Sequence, residues 1–412
     1  MKVLIVGGGG REHAIAWKVS QSPLLTELYC TPGNAGTAEF ATNLDLSVAN
    51  TGAIALWAVE NEIDLTIVGP EAPLADGIVD LFHEHGLKIF GPSKSAAQLE
   101  ASKSFAKEVM LKAGVPTAKA KVFKKFEPAK KYVKEQGVPI VIKADGLAAG
   151  KGVTVAMTMD DAIAALEECA RVVIEDYVDG REASLIGIVD GTTVVPLVLS
   201  QDYKRLEDND EGPNTGGMGA ISPTSVLEDK RLESLVAEVF LPVLRELWGR
   251  GIKFVGFLYA GMIVDKKTGD LSVLEFNCRL GDPETQVLLM RMKSDLLEIL
   301  DAACRGKLSS RDLKWSSDSA CCIVASSSGY PGDVDDGKIV EGLFEPTEDL
   351  VVFHAGTELS EDKKVRTKGG RILSVAASAP DMNQALAKAS EGIKRITFEG
   401  LHFRSDIGVT KP

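Results

Sequence analysis

The chain is predicted to be an α/β protein with a doubly wound parallel sheet at its N-terminal end, and three observations carry that prediction. Short apolar strands alternate with helical segments over residues 1 to about 100, and such a βαβ rhythm folds as a parallel sheet covered by helices. The run Val138–Ile142 opens directly into Lys143-Ala-Asp-Gly-Leu-Ala-Ala-Gly-Lys151-Gly152, a strand ending in a glycine-rich loop. Far downstream, Val273-Leu-Glu275-Phe-Asn277-Cys-Arg279-Leu-Gly-Asp282-Pro-Glu284 begins as a strand and ends in clustered polar residues.

In chain order, strands are expected at Val3–Val6, Leu28–Cys30, Leu65–Val68 and Lys88–Phe90, with helices from about Glu12, near Gly52–Glu60 and at Leu74–His85. Gly7–Gly10 follow the first strand and open the first helix, where free N–H groups favour an anion. A dinucleotide fingerprint is not satisfied: its third glycine would fall at Glu12, and the second strand ends Tyr29-Cys30-Thr31 without the acid that holds a ribose. A helix over Ser102–Val115, closed by Gly114 and Pro116, leads into strand, helix and strand up to Lys143. Val172–Glu175 is a further strand, and Ala183–Leu199 reads as a hairpin turning at Asp190-Gly191. Helical segments at 228–250 and 285–304 flank the Glu275 strand, and Lys307–Asp318 is a polar linker. Strands at Ala320–Ser326, Gly337–Phe344, Val351–Ala355 and Gly370–Ala377 and a helix over Pro380–Ile396 complete the chain.

The two polar clusters point to nucleotide chemistry. Glycines let backbone N–H groups approach phosphate oxygens, and Lys143 and Lys151 supply point charges. The loop is not a Walker A, because Lys151 is followed by Gly152 rather than by a hydroxyl for Mg²⁺. Alternation sends Glu275, Asn277 and Arg279 to one face, where a carboxylate and an amide oxygen suit a hard cation and the guanidinium suits a phosphate or acyl phosphate. A flexible hairpin tip and an ordinary polar strand face are the bland readings, but ATP work needs both elements and both are present.

With 412 residues, 45% hydrophobic and 25% charged, the chain has length for two to four structural units, and its net charge of −13 argues against a nucleic-acid partner. Six cysteines without a CxxC pair read as reduced thiols of a cytoplasmic protein. Neither a leader nor an apolar run long enough for a membrane span is expected.

Eight motifs in order, GGREHA (Gly9–Ala14), PGNAGT (Pro32–Thr37), GPEAPL (Gly69–Leu74), IKADGLAAGKGV (Ile142–Val153), GPNTGGMGA (Gly212–Ala220), GFLYAG (Gly256–Gly261), EFNCRLGDPET (Glu275–Thr285) and GGR (Gly369–Arg371), make the chain resemble the ATP-grasp ligases. Within them it is similar to the phosphoribosylamine–glycine ligase family of purine biosynthesis. The resemblance implies an ATP-grasp fold with an N-terminal doubly wound parallel-sheet domain (1–101), a core (102–318) carrying a small lid (118–184) and a C-terminal α+β domain (319–412). It implies that ATP and glycine form glycyl phosphate, which the amine of 5-phosphoribosylamine attacks, with Mg²⁺ or Mn²⁺ as cofactor and a monomer or weak dimer as the working form.

By the same resemblance Lys103 and Lys143 hold phosphates, Lys151 and Gly152 belong to a closing loop, Glu175, Asp176 and Val178 meet the adenine edge, and Glu182 holds the ribose. Glu275 and Asn277 match metal ligands, while Arg279 steadies the acyl phosphate and shares the catalytic role with Lys151. Substrate contacts fall on Gly9, Arg11, Glu12, Asn34, Glu71, Asp202, Asn214, Asp282 and Arg371. For Arg11 and Glu12 helix capping competes with that role, for Asn34 and Glu71 turn-making, for Arg371 a plain surface position; His13 reads as structural. Three features depart from the family pattern: Tyr203 stands where His is usual, the segment Ala164–Val172 is short, and Gly261–Val264 offers no carboxylate opposite Glu275. The competing functions are another carboxylate–amine ligase or carboxylase of the same fold, a nucleotide-binding regulator without turnover, and a dinucleotide-dependent oxidoreductase. The N-terminal and GGR motifs, the retained Glu275, Asn277, Arg279 and loop lysines, and the Glu12 and Thr31 departures disfavour them in turn.

Overall fold

A computed structural model describes residues 1–147, 152–308 and 313–409. The βαβ rhythm produces a parallel five-stranded sheet in which Lys2–Gly7 lies at the centre, Glu27–Pro32 and Thr42–Asn43 lie to one side, and Leu65–Val68 and Ile89–Phe90 to the other. Strand order reverses across Lys2–Gly7, so the loops after it and after Leu65–Val68 gather at one crevice, the place where open α/β sheets bind ligands. Val3, Leu4, Ile5 and Val6 are fully buried, as a central strand covered on both faces requires. The helix expected over Leu74–His85 is two helices, Glu71–Asp76 and Ile78–Glu84, because Gly77 between them is left-handed at φ 97°.

Two antiparallel sheets form the middle of the chain. In one, Gly180–Asp190, Val255–Asp265 and Leu271–Asn277 pair in that order, with Val194–Pro196 on the outer edge. The other, Ala120–Phe123, Val172–Asp176, Ile140–Ala144 and Val153–Ala156, is packed on one side by the helices Phe126–Gln136 and Met159–Glu167. Gly180–Asp190 therefore already belongs to the core sheet.

The last sheet joins chain segments far apart in sequence. Ser319–Ser326, Leu350–His354 and Arg371–Ala379 pair antiparallel, and Gly219–Ser222 and Gln201–Asp202 add to their edge. Gly337–Phe344, expected as a strand, carries only isolated bridges at Ile339 and Glu341. The expected helix at 285–304 is likewise two, Glu284–Arg291 and Leu296–Cys304. Asp295 starts the second by accepting from the N–H groups of Leu297 and Glu298. No helix among the described residues is long and apolar enough to cross a membrane.

Candidate active site

A cavity of about 1340 Å³ lies where the sheets meet, and Lys103, Lys143, Gly152, Glu275, Arg279 and Arg371 all line it. The strands deliver these side chains through a register defect. Gly261 faces Glu275 while Met262 faces Val273, so Leu274 is the extra residue of a bulge. The bulge turns the Leu274 carbonyl toward the second sheet, and Lys143 donates to it at 2.8 Å. Lys143 thus ties the strand that feeds the glycine-rich loop to the strand that carries Glu275.

At this end positive charge is shared through one carboxylate. Glu175, 4% exposed, takes Lys143 on one oxygen at 3.0 Å and Lys107 on the other at 3.1 Å. Lys107 was not singled out from the sequence, although it follows Lys103 by four residues and so shares its helix face. The glycine-rich loop is anchored at its start: Lys103 donates to the Gly146 carbonyl at 2.7 Å, and Asp145 accepts from the Ser104 N–H and is paired with Arg171 at 2.8 Å. Ala144 N–H donates to the Gly152 carbonyl at 2.8 Å, closing the loop at its base. Lys151 lies outside the described residues. Glu175, expected at the adenine edge, instead has both carboxylate oxygens on lysines, while Asp176 and Val178 line the cavity beside these groups and Glu182 is paired with Lys204 at 2.7 Å.

Glu275 meets its nearest ion-pair partner among the described residues, Lys204, at 3.9 Å. Burial works to raise its carboxyl, but Lys204, Lys143, Lys103 and Arg279 together hold it below the usual carboxylate range. Asn277 accepts weakly from Arg279 at 3.5 Å. No group of three or more His, Cys, Asp or Glu among the described residues is arranged to hold a metal ion. Arg279 lies just past the end of its strand, where Glu71 at 3.3 Å and Glu100 at 2.9 Å fix it. Glu100 is a second residue that no motif marked. Burial raises its carboxyl and Arg279 opposes that rise. For Glu71, burial is outweighed by Arg279 and Arg11, which leave its carboxyl below the ordinary value.

The far end is built on arginines. Arg371 donates to the carbonyls of Gly216 and Asp282, each at 2.7 Å, and pairs with the Asp282 carboxylate at 3.3 Å. Arg11 donates to the Leu280 carbonyl at 3.1 Å, and its own N–H points to Asp282 at 3.4 Å. Asp202 lines the cavity with Oδ1 buried and without a hydrogen-bond partner. Burial pushes its carboxyl well up, and the neighbouring Glu284 adds to that, with Lys204 opposing. Glu284 accepts from Ser184 at 3.0 Å and Tyr259 at 2.9 Å. Asn214 also lines the cavity, 3.5 Å from the Val153 carbonyl.

Gly9, Glu12 and Asn34 are not among the lining residues. Glu12 accepts from the Gly9 N–H at 2.7 Å and pairs with Arg11 at 2.6 Å. Its carboxylate thus occupies the helix N-terminus where the sequence suggested a ligand anion, and a Cβ at Gly69 would lie 2.0 Å from it. Asn34 donates to the carbonyls of Gly8 and His354 and accepts from the N–H groups of Gly36 and Thr37. All its hydrogen-bonding capacity is used in a turn that ties the first sheet to the last. His13 belongs to the same seam, accepting from the His354 N–H at 2.8 Å.

Lys143 from one antiparallel sheet, Glu275 from the other and Lys103 from a helix, meeting on one cleft beside the ends of a glycine-rich segment, define an ATP-grasp protein. The model of the phosphoribosylglycinamide synthetase ATP-grasp (A) domain matches residues 101–285. The N domain and C domain of the same synthetase match residues 1–100 and 320–410, and the chain belongs to the phosphoribosylglycinamide synthetase family. It is 47% identical to the phosphoribosylamine–glycine ligase of Escherichia coli (strain K12) over 99% of this chain and 98% of that one. The corresponding protein of Halalkalibacterium halodurans is also 47% identical, over 99% and 96%. The crystal structure of phosphoribosylamine–glycine ligase from Thermotoga maritima matches with a TM-score of 0.85 at 32% identity, covering 99% of this chain and all of the other. A biotin carboxylase from Campylobacter jejuni shares the fold at a TM-score of 0.75 and 20% identity, over 98% of this chain and 92% of that one.

Proposed function

We propose that the chain joins glycine to 5-phosphoribosylamine with cleavage of ATP, giving glycinamide ribonucleotide, ADP and phosphate. The observation that carries this reading is that a lysine-lined end and an arginine-lined end, the latter with Asp202 Oδ1 buried and without a hydrogen-bond partner, share one continuous cavity. A carboxylate oxygen of glycine attacks the γ-phosphorus and ADP leaves. The amine nitrogen then attacks the acyl carbon, phosphate departs with the electron pair of the broken C–O bond, and the nitrogen releases a proton to solvent.

Lys103, Lys143 and the Gly152 loop hold the phosphates in this scheme, with Asp176 and Val178 against the base and Glu182 at the ribose. Glu275 and Asn277 offer a carboxylate and an amide oxygen, a donor set that suits Mg²⁺ or Mn²⁺ held largely by ATP and water. Such an ion would neutralise phosphate charge. Arg279, locked by Glu71 and Glu100, is preorganised for charge that develops on the acyl phosphate. Asp202 takes an amino group, Arg371 and Arg11 the ribose phosphate, and Asn214 and Asp282 line the path between. Gly9, Glu12 and Asn34 act by holding Arg11 and the adjoining turn. We take 1–101, 102–318 and 319–412 as the working units, with the enzyme cytoplasmic and without a nucleic-acid or membrane partner. Steady-state phosphate release with ATP, glycine and 5-phosphoribosylamine tests the function. Release should vanish when either co-substrate is left out; release independent of both would overturn the reading.

A further inference from the structure

Lys107 is buried beside the cleft, 3% exposed, on the helix Lys103–Ala113. A buried ammonium is costly unless it is paired and hydrogen-bonded. This one meets Glu175 at 3.1 Å and donates to the Thr117 hydroxyl at 2.6 Å and the Ala118 carbonyl at 3.4 Å. Burial pushes its pKa down and Lys143 adds to that, while Glu175 works against both. The buried Lys107–Glu175 pair as a whole could be replaced by packed apolar side chains with little loss of stability, whereas removing either partner alone would strand the other's charge. Packing alone therefore gives no reason for a lysine here.

Charge counting does. Among the described residues Glu175 is the one carboxylate ion-paired to both Lys107 and Lys143, and all three residues are at most 5% exposed. Two ammonium groups on one carboxylate leave a net positive charge facing the cavity. Without Lys107 the same carboxylate would neutralise Lys143 alone, in surroundings where water screens little.

We propose that Lys107 is a positioning residue for Lys143: by taking one oxygen of Glu175, it lets Lys143 present uncancelled positive charge, in a fixed place, to the nucleotide phosphates. The proposal rests on reading the cleft as an ATP site. It treats Lys107, Glu175 and Lys143 as one unit that spans the helix, the outer antiparallel sheet and the bulged core strand.

The test compares Lys107→Met with the double variant Lys107→Met/Glu175→Gln, which removes one charge of each sign and restores the net count. ADP affinity is read by isothermal titration calorimetry, KM and kcat by phosphate release, and folding by circular dichroism melts. In Lys107→Met, ADP binding should weaken and the KM for ATP should rise roughly ten- to a hundredfold, the scale of one charge-assisted contact, with the KM for glycine unchanged. The double variant should recover ADP binding to within about fivefold of the unmodified chain, the non-additivity expected of coupled charges. Unchanged ADP binding in Lys107→Met, or binding in the double variant as weak as in the single, would overturn the proposal. If Lys107→Met does not fold, the double variant decides alone by whether its ADP affinity is kept. Unmodified protein that binds ADP but releases no phosphate with glycine and 5-phosphoribosylamine would instead count against the proposed function.

Discussion

The two ends of the cleft hold positive charge in different ways. At the nucleotide end, Lys103, Lys107 and Lys143 are held by one to three contacts each to a carbonyl, a hydroxyl or the shared Glu175. At the other end, Arg11, Arg279 and Arg371 each bridge segments distant in sequence: Arg11 reaches Leu280, Arg279 reaches Glu71 and Glu100, and Arg371 reaches Gly216 and Asp282. A lysine is a point charge on a flexible stem and tolerates movement of the sheet that carries it. An arginine is a planar fork whose direction is set by its partners. Loss of a lysine therefore removes a point charge from the cleft, whereas loss of an arginine removes a fork whose direction its partners set.

The largest effect is expected where the lysine end meets the core strand. Glu275→Ala should lower kcat roughly a thousandfold, because several kcal/mol of charge neutralisation would be lost with the cation it helps to hold. Phosphate release across Mg²⁺ and Mn²⁺ concentrations measures this, and near-normal turnover in a folded variant would remove Glu275 from the metal role. Next, Arg279→Lys keeps the charge but not the fork, and kcat should fall by about a hundredfold if preorganised direction is what matters. Retained activity would erase the distinction between the two ends.

Arg371→Ala should act selectively. One charge-assisted group contributes about 1.5–3 kcal/mol, so the KM for 5-phosphoribosylamine should rise roughly ten- to a hundredfold while those for ATP and glycine stay nearly constant. An equal rise for all three would mean that Arg371 serves only to join Gly216 to Asp282.

The smallest effect concerns the seam behind the arginine end. Burial pushes His13 down to about 3 and His354 down to about 4, with each ring favouring its neutral form in the folded chain. Because folded values lie below the unfolded value near 6.5, their contribution is complete above that pH and is lost as pH falls through it toward 4 and 3. Stability should drop by about 1.5 kcal/mol between pH 7.5 and 6 from the two groups together. Denaturant unfolding at both pH values measures the drop, and His13→Gln should shrink it by about half. A slope unchanged in that variant would place the acid sensitivity elsewhere.

Much of the site was legible because its residues follow strands. Lys143 and the glycine-rich loop come at the end of one strand, and Glu275, Asn277 and Arg279 at the end of another, so alternation and loop composition marked them. Lys107 carried a fainter signal, its spacing from Lys103. Glu100 carried none, since its partner Arg279 is distant in sequence. Gly7–Gly10 misled in an instructive way: a glycine run before a helix is read as an anion cradle, but Glu12, a carboxylate of the chain itself, fills the place.

The sequence by itself determined the parallel sheet, the nucleotide loop and the family resemblance, because each depends on local periodicity or on residues close along the chain. Tertiary structure alone decided how charge is divided in the cleft. The bulge at Leu274 gives Lys143 its carbonyl, Glu175 is split between two lysines, and Gly219–Ser222 and Gln201–Asp202 join the edge of the last sheet to bring Asp202 near Arg371. Strand pairing and ion pairing between distant segments leave no periodic trace in the residues that make them, and their electrostatic strength depends on burial that exists only once the sheets have packed.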